Sequence, residues 1–320
     1  MTALSTRQPS AALAEANTVL RQKGRTFYWA RWLLKDLHAD RATRLYSLCR
    51  YLDDLADEST SAVASRSALN HVRQAIHSGR ADHPVVHDGL LLITQCGIDP
   101  HVVCQLIDGV CSDLDTVAMA TLDDLLRYCY QVAGTVGLMM CNVLGADDPA
   151  AWPHAVDLGI AMQLTNICRD VQCDAAAGRR YLPASMVGEL LPTALVSPAA
   201  HIQPQLQDCL RQLLDMADHY YRSAELGLSY LPAGARTGIL TAARIYREIG
   251  VCLARRDFQY WQGRVVVSPM RKVVVTSNVL AGAPLRRSFW GPTHAHDAAL
   301  HRAFSALLSR NVSTSMLHGQ

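Results

Sequence analysis

The 320-residue chain is poor in charge and lacks the signals that would place it quickly in several function classes. Charged residues are 18% of it and the formal net charge is +2. With no basic run interleaved with aromatics, nothing calls for a nucleic-acid partner. No G-x-G-x-x-G occurs, so the usual glycine-rich cradle for a dinucleotide is missing. Ten cysteines are scattered without a C-x-x-C pair, most of them inside apolar helical stretches. They read as reduced core residues of a cytosolic protein. The N-terminus carries Arg7, Glu15 and Arg21 and has no continuous apolar core of the kind a secretory signal needs. The longest charge-free apolar stretch, residues 132–146, is shorter than a bilayer-spanning helix and holds three glycines. The expectation is a soluble, cytoplasmic protein that can still touch a membrane surface.

Sustained alternation of apolar and polar residues is also absent, and Val265-Val-Val and Val273-Val-Val are too isolated to found a sheet. What is present is helical periodicity. Leu122, Leu125, Leu126, Cys129, Val132, Ala133, Val136 and Met140 recur at three and four, with Asp123 and Asp124 suited to the dipole of the first turn. Pro149 and Pro153 fit the opening of a helix carrying Asp157 through Asp170. Residues 36–58, 100–115, 203–228 and 232–261 read as further helices. The breaks between them are short and none resembles a domain linker. Half the residues are hydrophobic, enough for one large core or two smaller ones. A single all-α domain over 1–320 is expected, loose over about 1–15 and 310–320. After Gly263 the chain turns basic and irregular (Arg264, Arg271, Lys272, Arg286, Arg287), with a short final helix around 294–309.

Two aspartate pairs stand out against this charge-poor background. Asp53 and Asp57 are four apart, as are Asp170 and Asp174. On a helix, residues four apart share a face with Cβ atoms ~6 Å apart, so each pair forms a two-carboxylate claw. Buried carboxylates repel and lose hydration, a cost that a divalent cation offsets. Hard oxygen donors suit magnesium, which commonly bridges carboxylates to substrate phosphates. Two claws on separate helices therefore suggest a magnesium cluster gripping a diphosphate. Tyr46, Arg50, Asp53, Asp54 and Asp57 make one helical stripe, and Asn166, Asp170 and Asp174 another. Asn166 adds a neutral oxygen or two N–H donors, and Arg169 a fork for phosphate oxygens.

The longer words around these stripes resemble the squalene/phytoene synthase family, and within it the bacterial phytoene synthases. They are Tyr46-x-x-Cys-Arg50-x-x-Asp-Asp54, Arg127-Tyr-Cys-Tyr130-x-Val-Ala-Gly-Thr-Val-Gly137-Leu-Met-Met140, Gln163-Leu-Thr-Asn166-Ile-x-Arg-Asp170 and Gly178-Arg-x-Tyr181-Leu-Pro183. The likeness runs from about Thr26 to Tyr246. It implies an isoprenoid-synthase-type helical fold around a central apolar cavity. It also implies Mg2+-dependent, head-to-head condensation of two geranylgeranyl diphosphates to phytoene through prephytoene diphosphate, the first step of carotenoid biosynthesis. Two or three magnesium ions are implied, manganese being an acceptable substitute. By the same resemblance, Asp53, Asp57, Asp170 and Asp174 look like metal ligands, with Asp54 as a helper and Asn166 beside them. Arg50, Asn166, Arg169 and Gln163 look like diphosphate-holding groups. Arg25-Thr26-Phe27 resembles the family's N-terminal element over that site, with Thr26 where serine is usual. Tyr46, Tyr128 and Tyr246 resemble pocket tyrosines, and Ala133, Gly134 and Gly137 would leave room for a prenyl chain or for close helix packing.

Two alternatives stay open at this point. A related synthase would make squalene, presqualene diphosphate or dehydrosqualene from two farnesyl diphosphates. A non-catalytic relative would keep the fold as an assembly factor or lipid-binding module, but would be expected to lose claw carboxylates. The basic segment after Gly263 is suited to an anionic membrane surface.

Overall fold

The computed structural model describes residues 11–57, 61–292 and 294–309. Helices α1 (Ala11–Lys23), α2 (Arg25–Arg31), α3 (Asp36–Asp57), α4 (Ala62–Ser78), α5 (Pro84–Cys96) and α6 (Pro100–Ser112) build the first half. Then come α7 (Leu122–Cys129), a π-helical turn (Tyr130–Gly134), α8 (Thr135–Leu144) and the long α9 (Ala151–Ala176). Short α10 (Ala184–Val187) and α11 (Pro192–Val196) lead into α12 (Gln203–Leu226), α13 (Ala233–Ala254), α14 (Pro269–Gly282) and α15 (Arg287–Trp290). No strand occurs among the described residues; Ala118 and Arg180 share an isolated bridge. Several starts follow from local chemistry. Asp99 caps α6 through the backbone N–H of His101, and Thr121 and Asp124 form a capping box on α7.

The fold is all-α, as the periodicity predicts, with four local differences. Residues 11–15, expected to be loose, belong to α1, because Ala16 and Leu20 are buried and hold the helix down. Glu58 and the ends 1–10 and 310–320 lie outside the described residues. The expected helix 232–261 stops at Ala254, where Asp257 and Phe258 take left-handed backbone. The Gln207 side chain donates to the Asp257 carbonyl at 2.7 Å and so holds the reversal. The segment after Gly263 is less irregular than its composition suggests: Val273-Val-Val lies inside α14, with Val275 buried. The last described segment is a 3-10 turn, Ala298–Phe304, continuing as helix to Ser309.

The core divides in two. One cluster joins α7, α9, α11, α12 and α13 (Leu125, Ile160, Leu164, Leu210, Leu213, Ile245), and the other joins α3 to α6 with α8 (Leu48, Leu52, Leu69, Leu92, Ile107, Val143). Helices α8 and α9 close the seam on glycine. A Cβ on Gly137 would sit 2.1 Å from the Ala155 carbonyl oxygen, and one on Gly159 would sit 2.1 Å from that of Ala133. Only hydrogen fits at either place, so the two backbones touch. The π-turn holds Ala133 at this crossing, in keeping with the frequent use of such turns at functional sites.

Candidate active site

Between the two core clusters lies a cavity of about 320 Å3. Its walls come from α1, α2, α3, the π-turn, α8, α9 and α13, and are mostly apolar. Along α9, Ala151, His154, Ala155, Leu158, Gly159, Met162, Gln163 and Asn166 line it, alternating steps of three and one that keep one face of the helix turned inward. From Asn166 to Ala151 that wall runs about 22 Å, at 1.5 Å per residue. Tyr46, Asp53, Asn166 and Tyr246 all belong to the cavity wall. The Phe27 ring packs tilted on Tyr46 at 6.0 Å and on Tyr246 at 5.2 Å, joining α2, α3 and α13.

The carboxylates gather near Asp53 and Asn166. Asp57 accepts a 2.9 Å hydrogen bond from Arg179, whose own backbone N–H donates to the Asp174 carbonyl at 2.9 Å. One arginine therefore ties the α3 claw to the end of α9. Asp113, just past α6, joins them. It accepts from Tyr181 at 2.7 Å and from Tyr128 at 2.8 Å, and its charge is felt at both Asp53 and Asp174. Asp170 is gripped by Arg169 and, across 94 residues of sequence, by Arg264 at 2.6 Å.

The electrostatics separate these acids. Asp53 keeps open surface toward the cavity mouth, yet protein crowds around it. That desolvation, with Asp57 and Asp113 adding repulsion against the opposing pull of Arg50, pushes its carboxyl up to about 7. Asp174 is pushed up to about 7 by burial and by neighbouring Asp170. Asp170 is desolvated too, but its bonds from Arg169 and Arg264 outweigh burial and hold it below the usual range. The site thus holds more negative charge than its own arginines neutralise. Two buried polar atoms also lack any partner: the Asn166 side-chain oxygen and Arg50 Nε. An orphaned oxygen donor beside under-compensated carboxylates fits a hard divalent cation, and an orphaned N–H donor fits an anion held next to it.

A family model described as squalene/phytoene synthase matches residues 20–271. The chain belongs to the squalene/phytoene synthase family. It is 35% identical to the 15-cis-phytoene synthase of Enterobacter agglomerans over 77% of this chain and 90% of that one. It is 33% identical to the 15-cis-phytoene synthase of Paracoccus sp. over 85% and 95%. Among solved structures it resembles a dehydrosqualene synthase with ligand, at TM-score 0.77 and 28% identity, covering 86% of this chain and 97% of that one.

Most of the residues expected in a squalene/phytoene synthase site come together here, with corrections. Asp53, Asn166, Gln163, Tyr46, Tyr246, Phe27, Ala133 and Gly137 line the cavity, although the close approach of Ala155 makes Gly137 a packing glycine as well. Gly134, with Tyr130 2.9 Å from a Cβ placed on it, is packing alone. Thr26 is half-buried in α2 and is not part of the cavity wall. Tyr128 is also absent from that wall. Its hydroxyl is spent on Asp113, because the last turn of α7 brings it to that acid rather than to the apolar chamber. Asp54, read as a helper ligand, is paired with Arg50 and lies 3.8 Å from Lys23 of α1, as Asp57 and Asp170 are also paired with arginines. Asp113, Arg179 and Arg264 were not expected. The Gly178-Arg-x-Tyr181 word pointed near Arg179, whereas no local pattern marks Asp113 or Arg264. Nor is the basic C-terminal segment uniformly available to a membrane: Arg264 pairs with Asp170, Arg271 with Glu248 and Arg286 with Glu225.

Proposed function

We propose that the chain joins two geranylgeranyl diphosphates head to head, through prephytoene diphosphate, to give phytoene. The observation that carries this reading is the placement of the acid-rich site at one end of a narrow apolar chamber about 22 Å deep along α9. An extended four-isoprene tail fits that depth with its diphosphate among the acids. Asp53, Asp57, Asp170, Asp174 and the Asn166 oxygen are the groups that would hold two or three Mg2+ or Mn2+ ions. Held there, such ions would supply positive charge against the negative charge developing on the departing diphosphate.

The side chains divide the remaining work. Arg50 and Arg169 offer N–H donors to phosphate oxygens. Arg179 and Arg264, engaged with Asp57 and Asp170, lie within reach of the same anion. The allylic C–O bond breaks with its electron pair going to the diphosphate, and the carbocation meets the double bond of the second substrate. Loss of a proton closes the cyclopropane; a second ionisation, rearrangement and proton loss complete phytoene without a reductant. Water must stay out meanwhile, and the Leu, Val and Met walls exclude it. The faces of Phe27, Tyr46 and Tyr246 favour positive charge near the mouth. Purified protein with Mg2+ should convert geranylgeranyl diphosphate to phytoene without NADPH. Turnover of farnesyl diphosphate alone would overturn the assignment.

No helix among the described residues is long and apolar enough to cross a membrane. We infer peripheral contact instead, carried by exposed Trp32, Leu285 and Trp290. The first turns of α13 connect them: Gly234 packs on Lys35, Gly238 on Leu34, and Arg236 on the Phe289 carbonyl. Leu34, Ile239 and Leu231 of this region also line the cavity, giving a hydrocarbon product a short route to lipid. Sedimentation with anionic vesicles should fall severalfold in a Leu285→Ser/Trp290→Ser variant.

A further inference from the structure

The outer face of α9 carries a second group of metal-type ligands. Asp157 is fully buried, and its two carboxylate oxygens each meet an imidazole: His301 Nε2 at 2.7 Å and His296 Nε2 at 2.9 Å. The ligand atoms of the three residues all lie within 4.8 Å of one another, and both histidine side chains are largely buried. Burial works against the Asp157 charge. Hydrogen bonds from the two imidazoles and the Ser223 hydroxyl offset that cost. His154 stands edge-on to His296 at 5.2 Å, with its Nδ1 on the Ser223 carbonyl.

This group is separate from the claws. Asp157 precedes Asp170 by 13 residues, about 20 Å along the helix, and is not itself part of the cavity wall, although its neighbour His154 is. Its donors differ as well. Two imidazole nitrogens and one carboxylate suit a borderline transition ion such as Zn2+, not Mg2+. We propose that Asp157, His296 and His301 form a Zn2+-class site that clips the C-terminal segment to α9. In such a site each imidazole would offer its Nε2 lone pair to the ion and carry its proton on Nδ1. The clip acts on a segment already docked by Tyr220 to the Leu300 carbonyl, Gln105 to that of Leu307, and the stack of Tyr130 on Phe304. Its effect is to stiffen the helix whose other face forms the cavity wall.

The test uses untagged full-length protein, stripped with chelator and then given Zn2+ in Mg2+-containing buffer. One Zn2+ per chain should be retained through gel filtration, with Tm raised by roughly 5 °C at saturation. Co2+ in its place should show the visible bands of a low-coordinate N/O site. The His296→Gln/His301→Gln variant should lose the ion and the Tm shift. An Asp57→Asn/Asp174→Asn variant should keep both, which separates this site from the claws. His296→Gln alone, changed at the more exposed of the two histidines, serves if the double variant does not fold, with circular dichroism as the check. No stoichiometric Zn2+, or equal Zn2+ in the wild type and the folded histidine variant, overturns the proposal and leaves the triad as a hydrogen-bonded latch.

Discussion

Asp53 and Asp174 sit near neutrality because burial and neighbouring carboxylates disfavour their charge, and that gives the site a definite pH dependence. Their folded values lie above the unfolded value near 4. In metal-free protein they therefore contribute stability that is present at low pH and is lost as pH rises through about 7. Protons also compete with magnesium for the same oxygens. The Mg2+ concentration for half-maximal activity should fall between about pH 6 and 8 and then level off, as read from Mg2+ titrations at fixed pH values. Asp174→Asn should abolish turnover by about a hundredfold or more. The same change should stabilise the metal-free protein at pH 8 by about 1 kcal/mol, measured by thermal melting, because it removes a repulsive buried charge. A loss of both activity and stability would mean that the residue is structural. At this scale the claws were legible in the sequence, since residues four apart on a helix must share a face. The contact of Lys23 with Asp54 was not, because Lys23 arrives from α1.

Helix α9 combines three duties: cavity wall along one side, claw carboxylates continuing that side at its C-terminal end, and Asp157 of the triad. Its seam with α8 depends on backbone contact at Gly159. Gly159→Ala forces a methyl group against the Ala133 carbonyl and should cost about 3 kcal/mol or more, seen as a lower Tm, with the π-turn displaced. A neutral result would mean that the two helices pack less closely than described. The extents of α3, α6 and α12 were readable from periodicity to within a turn. The stop of α13 at Ala254 was not. It depends on Gln207, in another helix, gripping a left-handed reversal that has no glycine to announce it.

For the whole molecule, the proposed function predicts that cavity length selects substrate. Ala155 lies about 16 Å from Asn166 along α9. Ala155→Phe should shorten the chamber there, cutting geranylgeranyl diphosphate turnover by about tenfold or more while sparing farnesyl diphosphate, in competition assays with both substrates. Equal losses on both would place the selecting wall elsewhere. The sequence by itself determined the all-α class, the claws and the family, because helical periodicity and ordered motif words are local. Tertiary structure alone decided that Arg179 and Arg264 pair with claw carboxylates, that Asp113 joins them, that the core splits around a chamber of this depth, and that residues 296–304 return to α9. Each of these is a pairing of residues far apart in sequence, set by how the helices pack, and such pairings leave no periodic trace.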